Sequence, residues 1–284
     1  ITEWQHRRLQ FGSKFKLLMS LLELASSDVW YTVGAPDTDR FLGIAARFLH
    51  KPRVVHWVGS DIQTAHANPR IIRQLKGQRV LHLAEVDWTA KEVERFGFDA
   101  RIAPLPPRLI RQSVTPMPNI FTLLLYLPRT RAYFYGRSEY ERLICNLRHE
   151  QIRFLIVGGG ALTTAFSAPV ENMGYQDSMG SVYGETSALL RIPEHDGLSL
   201  MVLEALSFGR YVMWPQKFPF VTFVSDYANI EMAVKAMLER HRNGTLTLQS
   251  DACAFIAEQY DYGRCLERIA DAWSDSTNRS AARQ

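Results

Sequence analysis

The chain has 284 residues, which is long enough for about two domains. Hydrophobic residues make up 46% and charged residues 22%, with 17 glycines and 13 prolines, and this composition excludes disordered, collagen-like and low-complexity chains. The charge-free stretches 112–128 and 154–170 contain prolines or glycines and are shorter than a membrane-spanning helix. We therefore expect a globular protein without a transmembrane span.

The net charge of +4 is unevenly distributed. Residues 1–117 hold 17 Lys and Arg against 11 Asp and Glu, net +6, and the remainder is net −2. A charge this dilute does not predict a nucleic-acid partner, but it favours anionic acceptors or an anionic membrane surface. The basic, amphipathic stretch 7–19 has two interpretations: a helix packed within its domain, or a helix lying on such a membrane.

Three cysteines lie far apart in predicted helices, at positions 145, 253 and 265. This spacing supports neither a metal cluster nor a disulfide framework, so we expect a reducing compartment and a cytoplasmic location. The basic first half suggests a second possible location, at the inner surface of the membrane. The chain starts at Ile1 without a methionine or a signal-peptide pattern, which we interpret as a trimmed N-terminus.

In the first half, short β-branched and aromatic runs alternate with helical patterns, which is typical of parallel sheets built from β-α units. Strands are predicted at 29–33, 54–58, 80–85 and 101–103. Asp37 is predicted to cap a helix that ends near His50, and Thr89 is predicted to open a second helix through a capping box.

Five prolines between positions 104 and 118 resist both helix and central strand, and they predict a linker there. The expected domains are therefore 1–117 and 118–274, followed by a disordered tail at 275–284. The first domain has about four predicted strands and no opening strand with a glycine-rich turn. Either a first βαβ unit lies upstream of Ile1, or this domain is reduced.

The second half has the size of a complete doubly wound domain. Its strands are predicted at 120–127, 153–157, 188–192, 211–214 and 222–225. Helices are predicted from Ser138 and at 198–208, 229–242, 251–259 and 264–273.

The most informative stretch, 191–210, has the pattern of a strand end, a polar loop and an almost wholly apolar helix. An apolar helix is buried, so its one charged interior residue, Glu204, needs donors nearby. Glu204 lies about 9 Å along the helix from Leu198, comparable with the distance that a diphosphate puts between a sugar and a ribose. The N–H groups of Gly197, Leu198 and Ser199 form a helix N-terminus suited to a diphosphate. The spacing predicts a nucleotide-sugar site.

This stretch resembles the donor-binding signature of family 4 glycosyltransferases: an acidic residue and Gly, six further positions, then Glu-Ala in a buried helix. Asp196-Gly197 and Glu204-Ala205 stand at the matching positions. Residues 154–158, 172–175 and 56–61 resemble other segments of that family in the same order. The resemblance implies an α/β protein of GT-B type, with two Rossmann-like parallel-sheet domains of which the first is incomplete.

The resemblance also implies a reaction and residue roles. A sugar would pass from a nucleoside diphosphate sugar to a hydroxyl of a glycan, lipid or small-molecule acceptor, with retained configuration and with neither cofactor nor metal. Glu204 would bind the ribose hydroxyls, and Asp196 would contact the transferred sugar. Further donor contacts are expected from Gly158, Tyr175 and 197–199, stabilisation of the leaving diphosphate from Arg129 or Arg131, and acceptor contacts from His56 and Asp61. The family's Lys-Gly is replaced here by Tyr135-Gly136, with Arg137 as one substitute cation.

Simpler interpretations stay open for several of these residues. Glu204 could form a structural ion pair with Arg191 or Arg210, Asp196 could cap a helix, and His56 could belong to the core. Gly158 to Gly160 could serve only for tight chain reversal. Two other functions also remain: a UDP-sugar 2-epimerase of the same architecture, or a non-catalytic module that binds a nucleotide sugar or another partner.

Overall fold

The computed structural model describes residues 22, 25–34, 48–76, 78, 80–107, 115–163 and 166–281, with side chains up to residue 275. They fall into two compact units. The first takes its residues from Ile1–Leu105 and Glu267–Gln284, and the second is Pro106–Leu266.

The first unit contains a four-stranded parallel sheet in the order β1-β2-β3-β4. Its strands are β1 (Trp30–Val33), β2 (Arg53–Trp57), β3 (Val80–Ala84) and β4 (Ala100–Ile102). All five residues of β2 are buried, as expected for a central strand covered on both faces.

Helices cover the first sheet. They are α1 (Ser60–Ala67), α2 (Pro69–Lys76) and α3 (Asp87–Glu94). In α2, Ile71 and Leu75 are one helical turn apart and both enter a core formed with Val55 and Trp57 of β2. On the other face, Val54 packs against Ile269 of the C-terminal helix.

The second unit contains a six-stranded parallel sheet in the order β10-β9-β8-β5-β6-β7. Its strands are β5 (Phe121–Tyr126), β6 (Ile152–Val157), β7 (Val170–Gly174), β8 (Ala188–Leu190), β9 (Tyr211–Trp214) and β10 (Val221–Phe223). The apolar runs of β5, β6 and β8 are buried on both faces, which places them at the centre of the sheet.

The helices of this part of the chain are α4 (Arg137–Asn146), α5 (Gly180–Gly184), α6 (Leu200–Ser207), α7 (Tyr227–Arg242), α8 (Ser250–Gln259) and α9 (Tyr262–Ala281). Buried residues of α4 and α7 share one core with β5 and β6. Helix α6 contacts β9 and α8.

The strand order of the second sheet reverses at β5. From β5 the chain moves outward through β6 and β7, then returns to the other side of β5 for β8, β9 and β10. In open parallel sheets, ligands bind outside the carboxyl ends of the strands at such a reversal. We therefore expect the ligand site in the crevice between the carboxyl ends of β5 and β8.

The structure differs from the sequence-based expectation in several places. The units divide at residues 105 and 106 rather than at 117 and 118, and the end of α9 belongs to the first unit. The tail expected to be disordered from 275 continues α9 to Ala281, because the apolar face that brings Ile269 and Ala272 to the first sheet sits on one continuous helix.

Three helices of the first unit also differ from the sequence-based expectation. Helix α3 begins at Asp87, since Thr89 occupies its third position and bonds back to Val86 rather than capping the helix. Helices α1 and α2 are absent from the sequence-based expectation, although α2 carries a recognisable pattern, with Pro69 at its first position and the apolar Ile71 and Leu75 one turn apart.

Two predictions lie outside the described residues: most of the helix expected from Asp37, and the basic stretch 7–19. Within the described part of the chain, no helix combines the length and apolar character that crossing a bilayer requires.

Candidate functional site

The predicted donor residues meet at one edge of the second sheet. Arg129 and Arg131 follow β5, Gly158 follows β6, Tyr175 follows β7, and the segment 196–199 follows β8. Because the carboxyl ends of parallel strands share one edge, the fold gathers these sequence-distant positions around the strand reversal.

Glu204 lies half-buried on α6. Its Oε2 accepts a hydrogen bond of 2.8 Å from the hydroxyl of Tyr183, and the described residues offer it no ion pair. Burial raises the pKa of Glu204, while the bond from Tyr183 partly opposes that rise. The carboxylate thus has little compensation from its own protein and retains acceptor capacity for a ligand.

Neither arginine that could have formed a structural pair with Glu204 does so. Arg191 pairs with Asp196. Arg210 is fully buried and donates to the carbonyl oxygens of Thr115 and Pro116 at 2.8 and 3.2 Å. The ion-pair interpretation of Glu204 is therefore wrong.

Helix α6 begins two residues later than predicted, at Leu200, with Ser199 as its N-cap residue. Asp196 therefore does not cap it. The backbone N–H groups of Gly197, Leu198 and Ser199 donate to no described acceptor, although all three residues are buried. Unpaired N–H groups just before the first turn of a helix are candidates to meet an anion.

Asp196 is firmly held by its neighbours. Its Oδ2 and Oδ1 accept from Nε and Nη2 of Arg191 at 2.7 and 3.0 Å, and Oδ2 also accepts from Nε1 of Trp214 at 3.1 Å. Side-chain exposures of 9% for Arg191 and 14% for Asp196 make this a buried two-pronged ion pair. A sugar hydroxyl would have to share the Asp196 carboxylate with both partners.

Aromatic residues surround this ion pair. The guanidinium carbon of Arg191 lies 5.2 Å from the ring centroid of Tyr126 and 5.5 Å from that of Tyr135. The two tyrosine rings meet edge to face at 5.1 Å. Burial raises the pKa of Tyr126, and the nearby Tyr135 adds to that rise. Tyr135, at the position expected to carry a lysine, thus places its ring against the buried Arg191.

The two arginines predicted to meet the diphosphate are exposed. Arg131 adopts a left-handed φ of 61°, and its guanidinium stacks 4.0 Å from the ring centroid of Phe134. Arg137, the substitute cation, instead pairs with Glu141 at 3.4 Å. A left-handed backbone at a non-glycine residue is strained, and such strain concentrates at functional sites.

Two glycines in this region are required by close packing. A Cβ on Gly136 would stand 2.5 Å from Cγ1 of Ile192, and one on Gly158 would stand 2.8 Å from the carbonyl oxygen of Leu127. The N–H of Gly158 is taken by the carbonyl oxygen of Gly174 and is therefore not available to a ligand. Tyr175, 78% exposed at the end of β7, offers an open ring at the same edge.

The two predicted acceptor residues lie in the first unit. His56 is fully buried at the end of β2, where its Nδ1 shares a hydrogen bond of 2.5 Å with the Tyr31 hydroxyl. Burial lowers its pKa to about 4, although a backbone contact to Ala103 opposes this. Asp61 is 7% exposed, and its Oδ1 accepts from the N–H of Val58. Both side chains have structural partners within their own unit.

Comparisons with known proteins bear on the fold. No protein-family model and no curated protein matches the sequence. Among solved structures, Anabaena HepE in complex with UDP and glucose has a TM-score of 0.71 at 14% identity, over 91% of this chain and 81% of its own. Sucrose-phosphate synthase from Thermosynechococcus elongatus has a TM-score of 0.66 at 11% identity, over 97% and 82%.

The pneumococcal O-GlcNAc transferase GtfA, in complex with UDP and GlcNAc, is also similar. Its TM-score is 0.66 at 13% identity, over 94% of this chain but only 61% of its own. The fold is of GT-B type. Two α/β domains with parallel sheets of four and six strands match these glycosyltransferases, as the sequence predicted.

Several residues of the site gave no usable signal in the sequence. Tyr183 lies on the five-residue helix α5, which is too short for a periodic pattern. Trp214 and Tyr126 end predicted strands, but which residues they contact depends on strand order. The sequence indicates Arg191 only as a partner of Glu204.

Proposed function

We propose that this protein is a glycosyltransferase that moves a sugar from a nucleoside diphosphate sugar to an acceptor hydroxyl, with retention of configuration and without a metal. The acceptor would be a glycan, a lipid or a small molecule. The fold similarity to HepE and GtfA, whose structures contain UDP with a sugar, supports uridine diphosphate as the first nucleotide to test.

One observation carries the proposal. Glu204 is a half-buried carboxylate with a single described donor, on the helix that follows the strand next to the sheet reversal. An under-compensated carboxylate lowers stability, and such groups are typical of binding sites. Two vicinal ribose hydroxyls are donors of suitable geometry, and they would supply the bonds that the protein does not.

The start of α6 offers binding groups for the diphosphate of the donor. The unpaired N–H groups of Gly197, Leu198 and Ser199 lie five to seven positions before Glu204, at the start of the same helix, and suit phosphate oxygens. Departure of the diphosphate leaves negative charge, and fixed donors that meet this charge as it develops lower the barrier. In the proposal, Arg129 or Arg131 adds a cation, Asp196 faces the sugar, and Gly158 and Tyr175 border the nucleotide.

The acceptor side is proposed for the first unit, where His56 lies near the end of β2 and Asp61 lies in the first turn of α1. Since burial keeps His56 uncharged at neutral pH, it would act through shape or a neutral hydrogen bond rather than as a cation.

Calorimetric titration with UDP, GDP and ADP tests the donor site. We expect the wild type to bind one of them, and Glu204→Ala to weaken that binding at least about tenfold, because hydrogen bonds to a charged group contribute about 1.5–3 kcal/mol. Glu239→Ala on the exposed face of α7 is the matched control and should bind normally. Equal affinities for both variants would remove Glu204 from the site.

Slow hydrolysis of the matching nucleotide sugar separates an enzyme from a binding module. Proton NMR of the freshly released sugar then reports its anomeric configuration, and retention predicts the same anomer as in the donor. Binding without hydrolysis or transfer would favour the non-catalytic alternative. Release of a 2-epimerised sugar would favour the epimerase.

A further inference from the structure

Arg191 is a buried cation at the sheet reversal. Arg191 follows β8 directly, beside the end of β5, and its N–H bonds to the carbonyl oxygen of Met213 on β9. The hydroxyl of the fully buried Tyr140 donates to the carbonyl oxygen of the preceding Leu190. Arg191 is therefore anchored on the central sheet, whereas Arg129 and Arg131 sit exposed after β5.

We propose that Arg191 is the cation that binds the diphosphate of the donor, in the place left without a charge by Tyr135. This inference rests on the proposed function. Its first support is the unused donor on the guanidinium. Nε and Nη2 bind Asp196, but Nη1 donates to no described acceptor and is not among the fully buried unpartnered atoms, so it contacts solvent. A guanidinium has five N–H donors, and the two-pronged pair leaves those of Nη1 available to a phosphate oxygen.

The second support is the local environment. Rings of Tyr126 and Tyr135 flank Arg191, and its side chain is only 9% exposed. A charge held among apolar groups interacts more strongly with an anion than an exposed one does, because water screens it less. Burial lowers the pKa of Arg191, but the charge of Asp196 and its hydrogen bonds raise it, and the net effect is a raised pKa. Arg191 therefore stays positively charged.

The third support connects Arg191 with the ribose end of the site. The charge of Arg191 acts on the hydroxyl of Tyr183, the group that bonds to Glu204. In sequence, Arg191 and Glu204 flank the segment that holds the unpaired N–H groups. In this arrangement Asp196 is a positioning residue, since its carboxylate fixes two guanidinium nitrogens and so directs the third.

Binding of a nucleoside diphosphate, compared with binding of its nucleoside, tests the inference. The wild type is titrated with UDP, GDP and ADP, and then with uridine, guanosine or adenosine to match. In Arg191→Lys, and in the double variant Arg191→Gln with Asp196→Asn, we expect diphosphate affinity to fall at least tenfold while nucleoside affinity stays within twofold. The double variant leaves no unpaired buried charge, which protects the fold.

A gain-of-function step and a control complete the design. Adding Tyr135→Lys to the double variant should recover at least threefold of the lost diphosphate affinity, because an ammonium would then stand beside the vacated position. Arg142→Gln removes another arginine stacked on a ring, 3.8 Å from the centroid of Tyr227, and should change neither affinity.

The outcomes are distinguishable. If the wild type binds none of the three diphosphates, the proposed function fails and this inference fails with it. If the wild type binds, but the Arg191 variants lose diphosphate and nucleoside affinity equally or lose neither, only the role of Arg191 is overturned. Thermal melting of each variant confirms that it is folded.

Discussion

The hydroxyl of Tyr183 donates a hydrogen bond of 2.8 Å to Oε2 of Glu204, and it is the one described donor to that carboxylate. A tyrosine hydroxyl orients the carboxylate but brings no positive charge. Burial therefore raises the pKa of Glu204, because a single neutral donor does not offset the lost hydration.

Glu204→Gln is expected to stabilise the protein at neutral pH. A carboxyl group whose folded-state pKa is raised lowers stability once the pH is above that pKa, so unfolding free energy falls as pH rises through it. The amide carries no charge and should add about 0.5–1 kcal/mol at pH 7.5, the usual gain from relieving a destabilising functional residue. The gain should shrink towards pH 4. Urea melts at both pH values measure it, and a loss of stability at pH 7.5 would show that the carboxylate is well compensated.

Tyr183→Phe is expected to shift the pH dependence of nucleotide binding. The hydroxyl holds down the pKa of Glu204, so its removal raises that pKa further. Only the ionised carboxylate accepts bonds from both ribose hydroxyls, and affinity should therefore rise with pH through the pKa of Glu204. In Tyr183→Phe this rise should occur at higher pH, while affinity at the alkaline plateau falls less than about tenfold. An unshifted profile in calorimetry would contradict the assignment.

The sequence predicted the fold class and most strands because each central strand is a short apolar run that stands out by itself. The position of Glu204 was predictable for the same reason, as the one charge inside an apolar helix. Its partner Tyr183 was not, since that contact joins residues 21 positions apart through a short helix without a pattern.

The pairing of Arg191 with Asp196 is a second contact that the sequence does not predict. Asp196 belongs to the predicted site and Arg191 lies five residues before it, and on sequence grounds Glu204 and Asp196 are equally available carboxylates for this arginine. The choice depends on Trp214 at the end of β9, whose indole N–H also binds Asp196. That contact follows from strand order, which local periodicity does not encode.

Gly136→Ala is expected to be strongly destabilising. Gly136 has φ of 81°, ends the 3₁₀ turn Tyr133–Tyr135 and precedes α4, and an added Cβ would overlap Ile192. The loss should be about 2–4 kcal/mol, combining backbone strain with overpacking. Gly244→Ala is the matched control, since it has φ of 69° with no atom within 4 Å of the added Cβ, and should cost about 1–2 kcal/mol. Equal losses in thermal melts would mean that contact with Ile192 contributes nothing.

Arg131→Gly is expected to raise stability while weakening donor binding. The φ of 61° costs an arginine about 1 kcal/mol that glycine does not lose, although the stacking on Phe134 offsets part of this. If Arg131 meets the diphosphate, Arg131→Gly and Arg131→Ala should weaken UDP binding alike, about three- to tenfold, and only the glycine variant should gain stability. Unchanged binding in both variants would leave Arg129 as the exposed candidate.

The buried histidines of the first unit predict its sensitivity to acid. Burial lowers the pKa of His56 to about 4, and burial together with the charge of Arg53 lowers that of His82 to about 4. The unfolded chain binds these protons near pH 6.5, so stability is fully present above that pH and is lost as the pH falls towards 4. Each histidine should remove about 2 kcal/mol between pH 7 and pH 5.

His82→Gln tests this at one position, because glutamine can still accept the bond that Nε1 of Trp57 donates to Nδ1 of His82 at 3.1 Å. The loss of unfolding free energy between pH 7 and pH 5 in urea melts should shrink by about 2 kcal/mol. The exposed His149→Gln should leave that loss as in the wild type. An identical loss in all three proteins would show that His82 is protonated as readily in the folded chain as in the unfolded one.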